Sequence, residues 1–130
     1  MSRRRWGDPL ARDPQRRQAR VNDLIRRQLA MILEREFRDR LPALITVTEV
    51  RISGDLRHAR IFVAILAERP QQEAAIKFLQ NNRLELRQLL GAQVILKYLP
   101  TLEFVLDLSA ERAQRIEELL RGNDPDRKSS

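Results

Sequence analysis

The chain has 130 residues, the size of one ordinary domain, and its 42% hydrophobic content is enough for a real core. Lys and Arg number 25 against 18 Asp and Glu, a formal charge of +7, and such an excess points to a polyanionic partner, most often a nucleic acid. There is no cysteine, which excludes disulfides, thiol nucleophiles and cysteine metal sites. No run approaches the ~18 apolar residues of a membrane span, and the first twenty residues have no apolar signal core, so a cytoplasmic protein is expected.

Residues 1–15 are polar, with Gly7, Pro9 and Pro14, and read as a disordered basic arm. The first forty residues hold 12 Arg against 6 acids, whereas 101–130 holds 5 bases against 7 acids. From about Pro14 to about Arg38 the spacing predicts a helix, with Val21, Leu24, Ile25, Leu29 and Ile32 facing inward. Its outer face presents Arg16, Arg20, Arg27 and Arg38. Asp23–Arg27 and Glu34–Arg38 stand at i,i+4 and partly neutralise that face, which also fits a plain solvated surface.

ITVTEVRIS (45–53) reads as a strand whose alternation slips, and a bulge near Thr48–Glu49 would put Ile45, Val47, Val50 and Ile52 on one face. Gly54 and Asp55 make a turn into a second strand, LRHARIFVAIL (56–66), with Ala59, Ile61, Val63 and Ile65 on one face, and the two pair as a hairpin.

A helical region over 71–90 follows Pro70, and Gly91 is expected to cap its C-terminus. Ala75, Leu79, Leu86 and Leu90 share one stripe, but an unbroken spiral puts Asn82 inside that stripe and Leu84 in solvent. VILKYLPTLEFVLD (94–107) is a third strand region, in which Pro100 must lie at a bulge, a bend or an unpaired edge. Ser109 is a candidate N-cap for a last helix over 110–120, and 122–130 reads as a flexible tail. The order gives an α+β domain over 16–121, with helices packed on a small sheet.

Nothing in this pattern builds a catalytic centre. His58 is the single histidine and sits beside Arg57 and Arg60, with no Ser or Asp placed for a triad. Neither a P-loop nor G-x-G-x-x-G occurs. A binding protein is expected, without cofactor or metal.

The stretch TVTEVRISGDLRHARIFV (46–63) resembles the hairpin of the bacterial ribosome-binding factor A family. So does ILKYLPTLEFVLDLSAERAQRIEELL (95–120), whose Leu-x-x-x-Pro-x-Leu-x-Phe-x-x-Asp pattern falls at Leu96, Pro100, Leu102, Phe104 and Asp107. RVNDLIRRQLAMIL (20–33) fits the first helix, so the resemblance covers about 20–120. It implies a type II KH-like domain, α-β-β-α-(kink)-α-β-α, with its helices on one face of a three-stranded sheet. It also implies a monomeric factor that binds free 30S subunits during late processing of small-subunit rRNA, is released before translation, and is linked to growth in the cold. No membrane and no small-molecule ligand is implied; a general RNA-binding or structural ribosomal protein is the alternative.

KH domains place a Gly-x-x-Gly loop between two short helices, where the backbone clamps nucleotides. The family resembled here has a kink, usually Ala-x-Gly, and the corresponding residues are Asn82, Arg83 and Leu84. A left-handed backbone at Asn82 would turn Leu84 back toward the core and let the amide bond freed backbone groups; a straight helix with Asn82 hydrogen-bonded inside is the other arrangement. Arg83 and Arg87, like charges at i,i+4, join Lys77, Lys97, Arg57, Arg60 and Asn82 as candidates for an RNA-facing surface.

Overall fold

The computed structural model describes residues 14–109 and 119–120. Helix α1, Pro14–Glu36, opens the described chain. It buries Ile25, Leu29, Ile32 and Leu33, while Val21 and Leu24 are half-buried at the rim of the same stripe. The chain turns at once: Leu41 N–H and Arg40 N–H both donate to the Phe37 carbonyl, at 3.0 and 2.8 Å. That turn leaves Phe37 fully buried, edge-on to Phe78 at 6.0 Å between ring centroids, and burying such a ring contributes roughly 1.5–3 kcal/mol. The helix stops two residues before Arg38, so the expected helical spacing of Glu34 and Arg38 is not realised.

Strand β1, Leu44–Ile52, pairs antiparallel with β2, His58–Leu66, and the register shifts between Val47 and Glu49. The extra residue, Thr48, is the bulge that the slipped alternation requires, and Ile45, Val47, Val50 and Ile52 are all buried. β2 is central and pairs in parallel with β3, Thr101–Leu106, in the order β1-β2-β3. A parallel neighbour needs a crossover, which here is a pair of helices, α2 (Arg69–Asn81) and α3 (Arg83–Gln93). The three helices cover the sheet face built by Ala59, Ile61, Val63, Ile65, Leu102 and Phe104 with the β1 set.

Three expectations are corrected. The third strand occupies only 101–106 of the 94–107 region; Pro100 is buried and has no amide hydrogen, so pairing begins with Thr101 N–H donating to the Arg57 carbonyl at 2.9 Å. Gly91 is not a cap. The helix runs on to Gln93, and a Cβ at 91 would stand 2.9 Å from Leu99 Cδ2, so the glycine admits a close approach of the following loop. The helical region is broken at Asn82, as expected of a kink, but with φ −106° and ψ 15° rather than in the left-handed region. The second helix is therefore not swung far enough to bury Leu84, which stays 66% exposed while Leu86 and Leu90 enter the core.

Asp107, last of the family-pattern residues, clasps the end of the sheet. Its N–H donates to the Val63 carbonyl at 2.7 Å and its carboxylate is hydrogen-bonded to the Thr48 hydroxyl, so the residue just after β3 reaches the β1 bulge. The same carboxylate accepts the N–H and hydroxyl of Ser109, which is how Ser109 is engaged. Most of the expected last helix (110–120), arm (1–15) and tail (122–130) lies outside the described residues; Pro14 and Gln15 already belong to α1.

Candidate nucleic-acid interface

The seven candidate residues do not form one continuous patch. Arg57 sits at the end of the hairpin turn, whose shape is set by Asp55: its Oδ1 accepts the Ser53 hydroxyl at 2.6 Å and the Arg57 N–H at 3.1 Å. Those two hydrogen bonds hold the Asp55 carboxyl below its ordinary value. Within the turn Leu56 has φ 64°, an uncommon conformation for a branched side chain, accepted here because Leu56 packs against the core. The Arg57 guanidinium then lies 4.0 Å from the Tyr98 ring centroid, and Lys97 Nζ lies 5.5 Å from it.

Arg87 serves the same region from behind. Its Nε and Nη2 donate to the carbonyls of Pro100 and Leu99, at 3.0 and 2.8 Å. It is part-buried and acts as a brace for the α3–β3 loop. Arg83, one turn earlier, is exposed and caps the Gln80 carbonyl at 3.2 Å. The two arginines thus avoid their like-charge conflict by binding different carbonyls.

Asn82 joins the helices through its side chain. Nδ2 donates to the Phe78 carbonyl at 2.8 Å, the freed-group role expected of a kink residue, and Oδ1 accepts from Arg40 Nη2 at 3.3 Å. Arg40 also grips Glu85 with both terminal nitrogens, each at 3.2 Å, and lies 4.4 Å over the Phe37 ring. The hydrogen bond from Arg40 holds the Glu85 carboxyl below its ordinary range. Sequence reasoning missed Arg40, since its partners lie 42 and 45 residues away. It also missed Tyr98, although a lone tyrosine beside Lys97 was a readable signal.

Arg60 stands apart on the open face of the sheet, in a cross-strand row with Arg51 and Glu103. Like charges facing each other are unfavourable, and each arginine has its own acid: Arg60 with Glu103 at 3.3 Å, Arg51 with Glu49 at 2.6 Å. Lys77 is exposed on α2. On α1, Asp23 pairs with both Arg26 (2.7 Å) and Arg27 (3.0 Å). His58 shares a hydrogen bond of 2.8 Å with Thr101 Oγ1. Among the described residues no three His, Cys, Asp or Glu side chains gather as a metal site, and no helix is long and apolar enough to cross a membrane.

The arrangement up to this point is a mixed sheet with helices on one face, a helix–break–helix crossover, and loops carrying cations and an aromatic. The family model for ribosome-binding factor A matches residues 17–120. The chain belongs to the ribosome-binding factor A family. Relatives of that name include one from Opitutus terrae, 42% identical over 104 residues, covering 80% of this chain and 84% of that protein. Another, from Coxiella burnetii, is 43% identical over 117 residues, covering 87% and 98%.

Among solved structures, the crystal structure of ribosome-binding factor A from Thermus thermophilus superposes with a TM-score of 0.61 at 28% identity, covering 68% of this chain and 94% of that one. A homology model of the same organism's factor, fitted into the cryo-electron microscopy map of its complex with the 30S subunit, matches with a TM-score of 0.54 at 29% identity, covering 65% and 89%. The fold is the type II KH-like fold of this family, with its two crossover helices broken at Asn82.

Proposed function

We propose that this protein is a ribosome assembly factor. It binds free 30S subunits during late maturation and processing of small-subunit rRNA, and leaves before the subunit enters translation. The observation that carries this reading is the family match over 17–120, supported by the likeness to the Thermus thermophilus factor fitted into the map of a 30S complex. A positive charge spread over several elements suits an RNA surface, because each cation that neutralises a phosphate releases condensed counterions. The protein acts by binding, as a cytoplasmic monomer, with no reaction of its own, and its need is greatest in the cold. Arg57, Arg60, Lys77, Asn82, Arg83, Arg87 and Lys97 are proposed as RNA-facing, with Arg87 acting through the loop it braces.

Sedimentation of cell extract through a sucrose gradient tests the proposal. The protein is expected with free 30S subunits and absent from 70S particles, and a deletion strain should accumulate unprocessed small-subunit rRNA at low temperature. Stoichiometric protein in 70S particles would instead make it a structural ribosomal component, and sedimentation with no ribosomal particle would overturn the assignment.

A further inference from the structure

The α3–β3 loop, residues 94–100, is held from behind yet offers its tips outward. Arg87 takes the carbonyls of Leu99 and Pro100, Pro100 is fully buried, and Leu99 sits against Gly91. In contrast, Ile95 is 99% exposed, Lys97 is exposed and Tyr98 is half-buried. The hairpin turn is joined to this loop, since the Arg57 carbonyl accepts the Thr101 N–H. Tyr98 thus stands between two braced segments, attended by Arg57 and Lys97, and it is not among the side chains that form or line the core.

The same loop is one wall of an open groove of about 770 Å³. The other wall is α1, where Arg17, Arg20, Val21 and Leu24 face Ile95 and Leu96. Arg20 is exposed on that wall, and the one acid that lines it, Asp23, is paired with Arg26 and Arg27. A groove with cationic and apolar walls, followed two residues later by an aromatic ring beside two cations, has the chemistry of a single-stranded nucleic-acid path: phosphates lie on arginines and a base stacks on the ring. A duplex fits this chemistry less well, because its bases are already stacked on one another.

From this geometry we infer that the groove and Tyr98 hold an unpaired stretch of ribosomal RNA, with one base stacked on Tyr98 or on the guanidinium plane of Arg57. The phosphates next to it lie on Lys97 and Arg20. The inference rests on the ribosomal reading above and adds to it the strandedness of the RNA and the residue that reads it.

The test compares the full-length protein with its Tyr98→Leu and Tyr98→Phe variants, on purified 30S subunits and on two probes, a short single-stranded RNA and a blunt RNA duplex. Leucine keeps apolar bulk without a π face, and phenylalanine restores the face. Loss of one base–aromatic stack should weaken binding of Tyr98→Leu to 30S subunits and to the single strand about tenfold. Tyr98→Phe should stay within about twofold of the parent protein, duplex binding should not change between variants, and all three should melt alike.

Parent protein that binds 30S subunits together with a Tyr98→Leu variant that binds equally well would overturn the inference and leave the proposed function intact. A loss that phenylalanine does not restore, or one accompanied by a lower melting temperature, would make Tyr98 structural and also overturn it. A loss on 30S subunits but not on the single strand would place a ribosomal protein at this surface instead of RNA. If the parent protein fails to bind 30S subunits, the proposed function falls, and the inference is then decided by whether Tyr98→Leu abolishes a preference for single strand over duplex.

Discussion

At the scale of single residues, what a polar side chain does here depends on which carbonyl it meets. Asn82 closes the break between α2 and α3 by donating to the Phe78 carbonyl while accepting from Arg40. Asn82→Ala removes both bonds, and although alanine is the better helix former, the change is expected to destabilise by about 1–2 kcal/mol. A urea midpoint that rises instead would mean the break does not depend on the amide. Arg87 and Arg83 make a contrasting pair. Arg87→Met cuts two charge-assisted bonds to the α3–β3 loop and should cost about 2–3 kcal/mol. Arg83→Glu, at an exposed site with one carbonyl contact, should leave stability within about 0.5 kcal/mol while weakening 30S binding. Equilibrium denaturation of the two variants side by side separates brace from surface charge.

At the scale of elements, the β1 bulge is a one-residue insertion whose side chain has been put to use. Thr48 interrupts an otherwise strict alternation and joins its hydroxyl to Asp107 beyond β3. Deleting Thr48 leaves Ile45, Val47, Val50 and Ile52 in perfect alternation, so the variant should still unfold cooperatively, with a loss near 1 kcal/mol for the clasp. Deleting Thr46 brings Ile45 and Val47 side by side and drives one out of the core, at a cost of at least about 1.5–3 kcal/mol. Equal losses for the two deletions, measured by thermal unfolding, would show that the bulge does not hold the register. The break between α2 and α3 has a similar logic: two short helices on one apolar stripe, with Leu79 before the break and Leu86 and Leu90 after it all fully buried.

At the scale of the whole molecule, charge is distributed in small pairs that tie distant segments together. Glu85, held below its ordinary value of 4.5 by Arg40, joins the kink to the turn after α1. Asp55 is held below 3.8 by Ser53 and the Arg57 N–H, and Asp23 below the same value by Arg26 and Arg27. A carboxyl whose folded pKa is depressed favours the folded state above its unfolded pKa, and that contribution fades as pH falls through the folded value. Stability should therefore be level from neutral pH to about pH 5 and then decline below the ordinary carboxylate range. Glu85→Gln should flatten part of that acid limb in denaturation curves taken across pH; an unchanged limb would count against the Arg40–Glu85 tie. Binding to 30S subunits should weaken steeply with salt, with a slope near −0.7 for each phosphate contacted on single strands. Salt-independent binding would argue for a protein contact.

The sequence by itself determined the order of the described elements, the inward faces of the two hairpin strands, the bulge and the break in the helical stripe. Each of these is a matter of local periodicity, and a residue out of phase is visible in one dimension. The family pattern was legible for a related reason: Pro100, Leu102, Phe104 and Asp107 are tied to the start, core and end of a single strand. Only the tertiary structure decided how far the kink bends, why residue 91 is glycine and what the candidate arginines touch. Leu84 stays outside because its position depends on backbone angles at Asn82 that no spacing encodes. Arg87 became a brace and Arg57 a partner of Tyr98 because carbonyls and a ring from other segments arrived there, 12 to 41 residues along the chain. An arginine's role follows from which acceptor its long side chain meets, and that meeting is arranged by the packing of the whole domain.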